Sequence, residues 1–107
     1  MRPEIARQLL NDRHALDAIA RAIVTGERGL GDAGDAIADD VASLMINRLA
    51  AAGVAGHQRV ARRRWNAPRR WQRLNRQYGH ELLNALIQRT DKHLAHAAML
   101  TYTGGDS

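Results

Sequence analysis

Between Arg59 and Gln77 the chain reads RVARRRWNAPRRWQRLNRQ, eight arginines and two tryptophans in nineteen residues with no acidic side chain among them. A guanidinium is planar, permanently charged and able to meet a phosphate through two parallel hydrogen bonds. A cluster of them attracts polyanions, and every phosphate it neutralises releases counterions. The bias extends beyond this stretch: Val41 to His80 holds nine arginines and neither Asp nor Glu, whereas the rest of the chain has seven basic residues against eleven acidic ones. A net charge of +5 therefore conceals a basic middle between two mildly acidic flanks. Fifteen arginines against one lysine also fit a GC-rich coding bias, but such a bias does not explain why acids vanish for forty residues.

Other chemistry is sparse. With no cysteine there is neither a disulfide framework nor a thiolate nucleophile. His93 and His96 share a helical face but lack a third ligand there, because Asp91 turns away from it; they read as surface or capping histidines. The segment TGERGLGDAGD, Thr25 to Asp35, has four glycines, yet it follows a helix and contains no Gly-Lys, so it lacks the context of a phosphate-binding loop.

Three short stretches resemble known families. LAAAGVAGHQRVARRRW, Leu49 to Trp65, resembles a helix-turn-helix through its Ala-Gly-Val at 52 to 54, which would make Gln58 and Arg59 base readers; Gly56, Arg59 and Arg62 depart from the apolar positions of that motif. Arg73 and His80 are similar to the Arg-to-His signature of helical ribonuclease domains of the HEPN superfamily, where both side chains act on the scissile phosphate, although Leu74 stands where a polar residue is usual. Tyr102 and Asp106 resemble the export signal of type VII secretion substrates, but Trp65-Asn-Ala replaces the central Trp-x-Gly of that family. By analogy the whole chain also resembles small phage- and plasmid-encoded helical proteins, including anti-CRISPR proteins.

The elements that must position the arginines are helices. Pro3 suits a first turn, and Ile5, Leu9, Leu16, Ile19 and Ile23 follow helical spacing, broken only at Asp12, so one helix is expected from Pro3 to Val24. The glycine-rich stretch, about residues 25–34, ends it as a flexible loop. Asp35 is the expected N-cap of a second helix, with Asp39 and Asp40 near its positive end and Ile37, Val41, Leu44, Met45 and Leu49 as its buried face, ending at Gly53 or Gly56. A short third helix is expected from His57 to Asn66, and Asn66 with Pro68 then starts a fourth. In that fourth helix Trp71, Leu74 and Tyr78 form an apolar face and Arg69, Arg73 and Arg76 point the other way. Gly79 either interrupts it or is tolerated. Leu83, Ile87, Thr90, Leu94, Ala97 and Thr101 define a long final helix reaching about Tyr102, before a disordered tail at about 103–107.

The expectation is an all-α single domain, a compact bundle of four or five helices with a long last one. Leu, Ile, Val and Phe total only 22 residues, which makes the core thin and self-association as a homodimer favourable. No signal peptide or membrane span is apparent, so a cytoplasmic location is expected. The expected partner is nucleic acid, chiefly DNA contacted at its phosphates, through Arg59, Arg62, Arg63, Arg69, Arg70, Arg73 and Arg76. Gln58 and Trp65 are candidate partner contacts, and no cofactor, metal or catalysis is implied. Stacking of bases on the tryptophans is a further reading, but the spacing puts Trp71 with the core. The alternative is a non-catalytic adaptor or inhibitor docking on a nucleic-acid-processing complex through the same basic face.

Overall fold

A computed structural model describes residues 3–53 and 67–105, and the side chains of all of these except Ala67 and residues 98–105. Six helices and no strand are present among the described residues: α1 (Pro3–Asn11), α2 (Arg13–Thr25), α3 (Asp32–Leu44), α4 (Ile46–Ala51), α5 (Ala67–Tyr78) and α6 (His80–Gly105). The fold is an all-α bundle whose last helix is the longest, 26 residues.

The expected first helix is two helices. Asp12 takes an extended backbone (φ −110°, ψ 94°), and its Oδ1 accepts from the Ala15 amide at 3.1 Å, so it caps α2 instead of continuing α1. Leu16, Ile19 and Ile23 on α2 are buried as the spacing predicts, whereas Ile5 on α1 stays 39% exposed. Gly26 ends α2 in the left-handed conformation, φ 79°, with its amide bonded to the Ala22 carbonyl.

The connection to α3 is held by side chains. Arg28 reaches Asp39 Oδ1 with Nε (2.9 Å) and Nη2 (2.6 Å) and the Ala22 carbonyl with Nη1 (3.0 Å). Asp35 Oδ1 accepts from the amides of Gly29 and Leu30, both at 3.0 Å, so it secures the loop and is not the N-cap; α3 has already begun at Asp32. Asp32 and Asp35 therefore occupy the dipole-favoured first turn, and Asp39 and Asp40 lie deeper in the helix than expected. Met45 (φ −104°, ψ 17°) separates α3 from α4, and Gly53 at φ 77° follows the end of α4.

Helix α2 makes its most extensive contact with α6, and α1, α3 and α5 also pack on α6. One cluster of Leu16, Ile19, Ile23, Ile37, Val41, Met45, Leu49, Leu74, Tyr78, Leu82, Leu83 and Leu86 joins these helices. Thr90 is fully buried because its Oγ1 donates to the Leu86 carbonyl at 2.7 Å, which satisfies the hydroxyl inside the helix. Gly79, at φ 91°, divides α5 from α6, a conformation that side-chain-bearing residues rarely adopt. Helix α6 continues past the expected end at Tyr102, since no proline intervenes before Gly105. The helix expected over His57 to Asn66 lies outside the described residues. Among the described residues, no helix is long and apolar enough to cross a membrane.

The capping role of Asp12 is testable. Asp12→Ala should destabilise the protein by about 1 kcal/mol and Asp12→Asn by much less, measured as urea unfolding followed by far-ultraviolet circular dichroism.

Candidate nucleic-acid interface

The candidate surface is built on α5. Its inner face anchors it: Leu74 and Tyr78 are buried in the core, and Arg70, Trp71 and Asn75 are half-buried beside them. On the outer face Arg69, Arg73 and Arg76 are exposed together with Gln72 and Gln77. The division expected from the 100° step between residues is therefore observed, with Arg70 as an intermediate case at the boundary. Partial burial, then the nearby Arg73, pulls the Arg70 guanidinium below its ordinary value, and Asp40 works against both.

Asp39, Asp40 and Asp91 are engaged by residues other than Arg73 and Arg76. Asp39 is bound by Arg28. Asp40 Oδ2 accepts a short hydrogen bond from the Tyr78 hydroxyl. Burial, with the Asp40 hydrogen bond and charge next, pushes that hydroxyl far above its ordinary value of 10.0. Asp91 is held by Arg48 Nη1 at 2.6 Å. Neither Arg73 nor Arg76 forms an ion pair with any described acidic residue. Asp40 and Tyr78, separated by 38 residues, link α3 to the base of α5; no local sequence pattern signals this pair.

Gln58, Arg59, Arg62, Arg63 and Trp65, and with them most of the stretch that resembles a helix-turn-helix, lie outside the described residues. Arg69, Arg70, Arg73 and Arg76 are brought together on α5. Trp71 lies with the core as its spacing implies: it is half-buried, packs against the core cluster and lines a groove of about 380 Å³ with Leu44, Met45, Arg48, Asn84 and Ile87. His80 meets Trp71 edge-on, with ring centroids 6.0 Å apart at 83°.

The other candidate chemistry has structural partners. His80, of the Arg73 and His80 pair, shares a 2.8 Å hydrogen bond with the Asn84 amide and is exposed at the start of α6. His93 Nε2 donates to Asp17 Oδ1 at 2.8 Å, tying α6 to α2, and chiefly that hydrogen bond holds the Asp17 carboxyl below its ordinary value. Among the described residues no group of His, Asp and Glu is arranged to hold a metal ion. No family model, curated protein or solved structure matches the chain.

Tyr78→Phe tests the support of α5. Removing the hydroxyl leaves the half-buried Asp40 carboxylate without its donor and should cost about 1.5 kcal/mol. The sign of the pH dependence follows from the raised folded-state value: the contribution is complete below pH 10.0 and is lost as pH rises beyond it. Urea unfolding across that range should show a steeper alkaline decline in the native protein than in the variant.

Proposed function

We propose that this chain is a non-catalytic nucleic-acid-binding protein, probing its partner, chiefly DNA, at the backbone phosphates through the arginine surface of the acid-free block. The observation that carries the reading is the outer face of α5, where Arg69, Arg73 and Arg76 are exposed on a helix fixed from its opposite side by Leu74 and Tyr78. Arg70 belongs to the same surface at its margin, and Arg59, Arg62 and Arg63 extend it in sequence. Phosphate contacts of this kind position a protein on nucleic acid without selecting a sequence. A homodimer, presenting two such faces, is part of the proposal, as is a cytoplasmic location.

A second reading is docking on a protein partner, such as a nucleic-acid-processing complex, through the same face. The half-buried Trp71 favours it, because partly exposed aromatics beside arginine are typical anchors of protein interfaces.

Fluorescence anisotropy of labelled random-sequence duplex and single strand, titrated at several salt concentrations, tests the proposal. Binding should weaken with salt by about 0.9 logarithmic unit per phosphate neutralised on duplex DNA. Replacing Arg69, Arg73 and Arg76 together with Ala should lower that slope by up to about 2.7 while leaving helicity unchanged. No binding at low salt would overturn the reading and favour the protein partner.

A further inference from the structure

The arginine row of α5 does not end in open solvent. At its C-terminal end Arg76 lines a cleft of about 490 Å³, whose walls come from three helices: Pro3, Ala6, Arg7 and Leu10 of α1, the end of α5, and the opening turn of α6 after Gly79. Arg7 lies 69 residues from Arg76 in sequence, within the acidic N-terminal flank, so neither charge blocks nor periodicity pairs the two. They line one cleft because Asp12 breaks the first helix: α1 is thereby freed from the direction of α2 and packs on both α2 and α6. Ala6, Leu9 and Leu10 rest against the core, and Arg7 on α1 is exposed.

We propose that this cleft seats a phosphodiester group of the bound nucleic acid between Arg7 and Arg76, extending the interface from α5 onto α1. The inference rests on the nucleic-acid reading above. Three observations support it. Neither Arg7 nor Arg76 forms an ion pair with a described acidic residue, so both guanidiniums have donors to offer a ligand. The cleft also contains Glu81, and two guanidiniums against one carboxylate leave a single net positive charge, which matches the single negative charge of a phosphodiester better than the higher charge of free phosphate. Finally, Arg76 belongs both to the exposed row of α5 and to the cleft, so the row and the cleft share one guanidinium. Pro3, Ala6, Leu10 and Leu82 supply apolar walls that reduce competition from water for the charged contact.

The test is a double-mutant cycle read by anisotropy with a labelled oligonucleotide, using the full chain and the variants Arg7→Ala, Arg76→Ala and both together. Arg13→Ala is the control, because Arg13 is exposed on α2, does not line the cleft and carries the same charge. Arg7→Ala and Arg76→Ala should each weaken binding about tenfold, the two together should lower the salt slope by about one, and Arg13→Ala should change the affinity less than twofold. The double variant should lose less than the product of the two single effects, since the two side chains hold one group. Arg7→Lys, which retains the charge but not the paired donors, should recover part of the affinity. Inorganic phosphate added as competitor should displace the oligonucleotide no better than an equal ionic strength of chloride. If the native chain binds and Arg7→Ala behaves like Arg13→Ala, the cleft proposal is overturned while the α5 reading stands. If phosphate competes specifically, a free-phosphate site replaces the phosphodiester seat. If the native chain does not bind the oligonucleotide at all, both readings fall together.

Discussion

The packing of α2 against α6 is the constraint on which the other contacts depend. The chain has few large aliphatic side chains, and it concentrates them here: Leu16, Ile19 and Ile23 on one helix, and Leu82, Leu83 and Leu86 on the other, are all buried in one cluster. Adjacent buried residues such as Leu82 and Leu83 point in directions about 100° apart, so α6 must be covered from more than one side. Helices α1, α3 and α5 provide that cover. At the far end of the seam, His93 of α6 donates to Asp17 of α2, and Arg21 and Arg89 flank the same carboxylate at 3.5 and 4.0 Å.

From this seam the arrangement of charge follows. Helix α5 leans on α6 and α3 through Leu74 and Tyr78, and the Tyr78 hydroxyl is closed off by Asp40. Asp39, Asp40, Asp17 and Asp91 are all engaged by residues other than Arg73 and Arg76. The acids thus connect helices, and Arg73 and Arg76 of the outer row form no ion pair with a described acidic residue. Ion pairs as exposed as that of Arg48 and Asp91 contribute little stability, so their effect on the distribution of charge outweighs their effect on folding.

Much of this was legible in the sequence, because helical periodicity reports burial directly. Ile37, Val41, Met45 and Leu49 are buried as their spacing implies, and so are Leu74, Tyr78, Leu83 and Thr90. Arg69, Arg73 and Arg76 are exposed for the same reason. What periodicity does not carry is where a helix changes direction. Asp12 interrupts the apolar pattern for only one position, yet its side chain caps a new helix, and the change of direction moves Arg7 to the cleft that Arg76 lines. Asp35 has the residue type of an N-cap, but its carboxylate is taken by the amides of Gly29 and Leu30. Trp71 shares a stripe with Leu74 and Tyr78, but the stripe does not show that it lines a groove with Leu44, Met45 and Arg48. The pairing of Asp40 with Tyr78 is a tertiary contact without a local signature.

The most direct measurement is a nuclear magnetic resonance titration of the isotope-labelled chain with a short unlabelled oligonucleotide at low salt, following backbone amide and arginine side-chain signals. The account predicts that the shifts concentrate on residues 69–76 of α5, with Arg7 and the first turn of α6 next to them, and that α3 residues near Arg28 and Asp39 stay unchanged. Shifts confined to other surfaces, or none at concentrations where the arginine face should be saturated, would contradict it.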